Sequence, residues 1–184
     1  GRKQLTAKER EPLGDMIASA RHIQNIKESI GYTGPLIGPA RLAAAKWFGL
    51  KDPDIVQFDN AYNNLRVAIQ SNIPGIPSNY DVHIVLDTLP QIGNSDFLNE
   101  ARAQYAFDFV TQKFKTSISY LKENGYAVPE DLIQTASDMG IDVHNVGNYK
   151  RELKQLDAIR DTPPKSQPGK VKQSDRAERW GVRE

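Results

Sequence analysis

Three arrangements in this 184-residue chain are candidates for chemistry. The first is "GYTGPLIGPARL", residues 31–42, whose glycines could let backbone N–H groups close around a phosphate. The spacing argues otherwise. A phosphate-binding loop places four residues between its glycines and follows them with Lys and Ser or Thr, whereas Gly34 and Gly38 enclose three and are followed by Pro39 and Ala40. A dinucleotide fingerprint would need a preceding strand, and the residues before Gly31 carry a helical period. The stretch is therefore expected to turn the chain between two helices, with Leu36 and Ile37 packed inward and Pro35 and Pro39 fixing their own φ. The second arrangement is the set of His22, His83 and His144. They fall on three separate segments, with no His-x-x-x-His or Glu-x-x-His spacing to bind a metal, and are expected as surface or half-buried imidazoles. The third is a set of paired acids, Asp52 with Asp54 and Glu130 with Asp131. Both pairs sit at expected helix starts, where carboxylates meet the positive end of the helix dipole. No calcium loop, nucleophile elbow or cysteine is present, so no disulfide or thiolate site is expected, and no cofactor is implied.

One Glu asks for separate treatment. Glu28 and Ser29, followed by a Gly-containing segment, resemble the Glu-Ser pair of lytic transglycosylases. The resemblance implies an acid catalyst at a helix end. The Gln of the family's downstream segment is missing and the spacing is short. A catalytic acid also needs an apolar shelter to stay protonated. Beside Lys27, Glu28 reads as an exposed helix charge, and no catalytic residue is assigned.

The elements that would position these residues are helical. Met16, Ala20, Ile23, Ile26 and Ile30 recur at three and four, predicting a helix over 12–30 that opens at Pro12 and ends at Gly31 with positive φ. A short helix is predicted over 39–48. Asp52 and Pro53 open another, carrying Ile55, Phe58, Tyr62, Leu65 and Ile69 to about Ser71. Ser78 and Asp81 can form a capping box before a short helix with Val82, Val85, Leu86 and Leu89. Ser95 caps a long helix from Asp96 to Asn124, stopped by Gly125. Its apolar residues circle the surface, as expected of the central helix of a bundle. Pro129 starts a sixth helix ending near Gly140, and a seventh is predicted over 145–160. No useful period-2 strand pattern is found. The expected fold is all-α: six to seven helices in an irregular bundle over residues 1–161, with an extended basic tail over 162–184.

The tail separates from the rest by charge. It holds six cations against three anions, a net +3, which leaves -2 on the remaining 161 residues of a chain whose total is +1. So balanced a chain is not a basic nucleic-acid binder as a whole, and its mean hydropathy of -0.57 fits a partly extended polypeptide. No apolar run reaches the roughly 20 residues of a membrane-spanning helix. Pro163, Pro164 and Pro168 disfavour regular structure in the tail. It reads either as a solvated linker or as a segment that docks on an acidic surface, protein or nucleic acid. On the docking reading Trp180 is the anchor, inserted in an apolar pocket of a neighbouring subunit or partner. Arg176, Arg179 and Arg183 flank it, and Lys165, Lys170 and Lys172 follow the acidic surface.

From about residue 31 to 135, the Gly-Pro-Leu-x-Gly corner, the turn of Gly75, Ile76, Pro77 and Ser78, and then Asp81, Leu89, Pro90 and Asn94 resemble helical segments of bacteriophage internal virion and DNA-ejection proteins. The resemblance carries no catalytic motif. It implies a non-enzymatic structural role in a virion, assembly with its own copies or other virion proteins, and delivery into the host cell envelope. The alternatives are a peptidoglycan-cleaving fragment using Glu28 and a small nucleic-acid-binding adaptor using the tail.

Overall fold

The computed structural model describes residues 1–32, 41, 43, 53–70, 75, 76 and 82–165. Six α-helices lie among them, in the all-α architecture expected. They are α1 (Ala7–Ser29), α2 (Pro53–Gln70), α3 (Val82–Asp87), α4 (Asp96–Glu123), α5 (Glu130–Asp138) and α6 (Tyr149–Arg160). Arg41 and Ala43 are helical, but most of the helix predicted over 39–48 lies outside the described residues, as do Asp52 and the Ser78–Asp81 capping box.

The start of α1 differs from expectation. The helix begins at Ala7, because Thr6 and Glu9 close a reciprocal capping box upstream of Pro12. Thr6 N–H donates to the Glu9 carboxylate at 2.8 Å, and Glu9 N–H donates to the Thr6 hydroxyl at 3.3 Å. The Thr6 N–H, and then the Thr6 hydroxyl, which also donates to the Glu9 carboxylate at 2.8 Å, hold that carboxyl below its usual pKa. Pro12 therefore sits inside the helix rather than in its first turn. The far end also departs: α1 tightens into a 3-10 turn over Ile30–Tyr32, and Gly31 does not take positive φ. The chain there keeps winding, so the left-handed turn that a glycine stop provides is not needed.

α4 is the axle. Ser95 caps it as predicted, its hydroxyl accepting from Leu98 N–H at 3.2 Å. Gly125, at φ +80°, leaves it. Its 28 residues span about 42 Å. Phe109, Phe114, Ile118 and Leu121 are buried on it together with Gln112, Lys113, Thr116 and Ser117, so burial runs round most of its circumference. α1 packs on both α2 and α4, and α6 packs along α4. Leu13, Met16, Ile23, Phe58, Leu65 and Leu156 complete one continuous core with the α4 residues.

Two features were not visible in the apolar pattern. Lys3–Gln4 (β1) and Tyr126–Ala127 (β2) form a parallel two-residue pair that ties the N-terminus to the far end of α4. α6 starts at Tyr149 rather than 145, because the Asn148 carboxamide caps it by accepting from Arg151 N–H at 2.9 Å.

Candidate functional site

The sequence-predicted site residues separate into two groups. Trp180, Arg176, Arg179, Arg183, Lys170 and Lys172 lie outside the described residues. Lys165 is exposed at their edge. The chain reaches it past Arg160, whose carbonyl accepts from the Tyr105 hydroxyl at 3.1 Å. Burial, then the nearby Asp161 carboxylate, raises the Tyr105 pKa, while a hydrogen bond with Thr88 opposes the rise. Tyr105 thus places the tail's departure point beside the end of α3.

An open cleft of about 220 Å3 is lined by Phe58, Asp59 and Tyr62 of α2 and by Pro90, Gln91 and Ile92 of the α3–α4 connection. Phe58 and Tyr62 are four apart on α2, which puts both rings on one face. The opposite wall is irregular backbone, and α4 fixes it. Asn99, fully buried one turn inside α4, accepts from Gln91 N–H at 3.0 Å and from the Asn94 carboxamide at 3.3 Å. It also donates to the Gln91 carbonyl at 2.9 Å. Arg102 donates to the Leu89 carbonyl at 3.2 Å. Gly93 at φ +100° supplies the left-handed residue the connection needs. The wall is therefore held before any partner arrives.

Asp59 is the single charged group among these lining residues, and it is exposed on α2. Phe97, 68% exposed, adds apolar surface on the first turn of α4. Phe58 and Pro90 are buried, so the accessible part of the cleft is Tyr62, Ile92, Gln91 and the Asp59 carboxylate. The lining residues supply no nucleophile–base pair.

The other candidates for chemistry fall elsewhere. Glu28 is exposed on α1, without the apolar shelter a catalytic acid needs. His22 is half-buried, and burial followed by the charge of Arg21 lowers its pKa. His83 and His144 are exposed on other elements. Among the described residues no three His, Asp or Glu side chains come together as a metal site. Glu130 and Asp131 lie in the first turn of α5, as expected, and Asp131 pairs with Arg10 of α1 at 2.8 Å. Asp54 lies in the first turn of α2, facing Arg41 at 3.3 Å.

Sequence reasoning missed the polar groups buried along α4. Gln112 donates to the Glu152 carboxylate at 2.6 Å and to the Glu152 carbonyl at 3.0 Å, joining α4 to α6. The same carboxylate accepts from Gly147 N–H at 2.7 Å. Lys113 extends across the interior and donates to the Ile69 carbonyl at 2.9 Å, in the last turn of α2. Its cation lies 6.0 Å from the centre of the Phe109 ring. Burial pulls its pKa down to about 8. The only signal in the sequence was the polar break that these residues make in the apolar period of α4.

Searches against protein-family models, curated proteins and solved structures found no match to this chain.

Proposed function

We propose that this chain is a non-enzymatic structural component of a bacteriophage particle, an internal or DNA-ejection protein that acts through assembly with its own copies or with other virion proteins. The observation that carries the reading is the preformed cleft between α2 and the α3–α4 connection, lined by the half-buried Tyr62 and Ile92, the exposed Asp59 and Gln91, and the buried Phe58 and Pro90. Leu89, Pro90 and Asn94, which belong to the virion-protein resemblance, lie in the backbone that Asn99 and Arg102 brace. Exposed Val56 and Val67 on α2, with Phe97 on α4, add apolar surface of the kind assembly covers. On this reading the tail supplies the other half of the contact. Trp180 is the anchor, and its flanking arginines and lysines follow an acidic surface. The particle is the site of action, with delivery into the host envelope at ejection.

The test has two parts. Mass spectrometry of purified particles of the phage that carries the gene should find the chain. Native mass measurement of the purified chain should give an oligomer, which Trp180→Ala weakens without changing the melting temperature of the core. Absence from particles overturns the reading. Clearing of purified cell wall that Glu28→Gln abolishes overturns it in favour of the transglycosylase.

A further inference from the structure

The geometry points to a second copy of this chain as the partner of the outer face of α2: two copies pair this helix antiparallel, about a two-fold axis that passes between Asn60 and Asn63. The inference rests on the assembly reading above and names a surface through which copies meet.

α2 packs on α1 and α3, and it buries Phe58, Ala61, Leu65 and Ile69. At about 3.6 residues per turn, the stripe directly opposite that buried face is Val56, Asn60, Asn63 and Val67. All four are exposed, Val56 at 45% and Val67 at 67%. They follow one another at intervals of four, three and four, the spacing of a helix–helix seam, over about 17 Å. The chain is 26% charged, yet this most solvent-facing line of the helix carries no charge. A lone surface valine needs no explanation. Here two of the three large apolar side chains exposed among the described residues stand three turns apart on one line.

The order of residues selects a second copy over any other occupant. Read from either end, the stripe is Val, Asn, Asn, Val, so an antiparallel copy meets valine with valine and carboxamide with carboxamide. That self-complementarity is what an isologous two-fold contact requires. One chain has one α2, so the match needs two chains. The flanks obey the same symmetry. Asp59 and Arg66 border the stripe on one side, Gln57 and Asn64 on the other, and all four are exposed. In the register that aligns the valines, Asp59 faces Arg66 of the second copy, and Gln57 faces its Asn64. The axis makes each pairing twice, and no like charges meet among these flank residues. A parallel pair would set Asp59 against Asn64 and leave both charges unmatched, so the flanks also fix the direction. Neither Asp59 nor Arg66 takes part in an ion pair among the described residues. Carboxamides at the centre of a seam cost stability and hold its register, which makes the dimer weak but specific.

The experiment uses the full chain, which has no cysteine, so an introduced thiol reports alone. Val56→Cys and Val67→Cys both change exposed positions. Mixed and mildly oxidised, the two variants should give a disulfide dimer that joins a peptide with position 56 to one with position 67. Each variant alone should give little, because its two thiols lie at opposite ends of the seam. In sedimentation equilibrium, Asp59→Arg should weaken the dimer several-fold, as should Arg66→Asp, and the two changes in one chain should restore it. Val67→Glu should weaken it about tenfold or more, since the axis repeats the change, and leave the melting temperature of the dilute monomer unaltered. Disulfide dimers from either variant alone, at the level of the mixture, overturn the inference. So does a charge exchange that restores nothing. If the chain stays an oligomer unaffected by Val67→Glu, the α2 seam falls and the assembly reading stands. A chain that is monomeric at every concentration overturns the inference, and its presence in purified particles then decides the assembly reading separately.

Discussion

Two buried side chains, Glu152 on α6 and Lys113 on α4, show how this fold uses polar groups that the sequence displays only as interruptions. Glu152 is 1% exposed, and its carboxylate holds both the Gln112 carboxamide and the Gly147 amide. Truncation removes the acceptor of the half-buried Gly147 amide and leaves the buried Gln112 carboxamide only the Glu152 carbonyl, each lost partner costing about 1–3 kcal/mol. Glu152→Ala is thus expected to lower stability by about 2–5 kcal/mol, read as a fall in urea midpoint at unchanged slope. Lys113 behaves differently, because its burial opposes its charge. Its pKa falls from 10.5 in the unfolded chain to about 8 in the folded one. Below pH 8 both states hold the proton. Between pH 8 and about 10 the unfolded chain keeps the proton that the folded chain has released, so stability rises with pH across that window. The full shift corresponds to about 3 kcal/mol. Above pH 10 the raised pKa values of Tyr105 and Tyr149 act in the opposite sense, since the folded state favours their neutral phenols. Urea midpoints at pH 7.5 and pH 9.5 should therefore differ in the parent chain, and Lys113→Met should remove most of the difference.

At the scale of elements, the long-range apolar period located the helices and local chemistry set their ends. Ser95 and Gly125 bound α4 in the sequence as they do in the structure, because a cap and a left-handed stop each act within a few residues. The start of α1 was misplaced because Pro12 draws the eye to a first turn, while the Thr6–Glu9 capping box lies outside the apolar run. Gly31 was misread for the opposite reason. A glycine after a helix permits a left-handed turn without requiring one, and here the chain continues into a 3-10 turn. Gly75 does require it. At φ +83°, an added Cβ there would collide with the Tyr120 side chain, and the Gly75 carbonyl accepts from the Tyr149 hydroxyl. Gly75→Ala should therefore cost over 1 kcal/mol, while Gly31→Ala, with open space around its Cβ position, should be near neutral or mildly stabilising. Thermal melting of the two variants side by side decides it. The cleft was not legible at this scale, since its walls come from α2 and from a connection some thirty positions later. Apolar spacing carries no record of that meeting. The tail's composition is legible in the sequence, since its six cations against three anions stand apart from the remainder.

For the whole molecule, the all-α class and the central helix were both legible, because α4 is buried on more than one side and its sequence shows that directly. The β1–β2 pair was not. Two residues are too few for an alternating pattern, and the pairing joins Lys3 to Tyr126 across most of the described chain. The Lys3 amide donates to the Gly125 carbonyl at 2.9 Å, directly after α4 ends. This small pairing gives the chain a temporal order. During synthesis Lys3 leaves the ribosome before its partner, which does not exist until the whole of α4 has been translated. α1 and α2 can pack on each other well before that moment. That stitch therefore waits for long-range loop closure, the slow kind of step in folding. In refolding followed by pulsed hydrogen exchange, the Lys3 amide should gain protection after the amides of α1 and α4, and exchange sooner than they do in the native state. Its position makes it a late-closing latch, and the ends of the bundle become a single body only when the third residue finds the hundred-and-twenty-sixth.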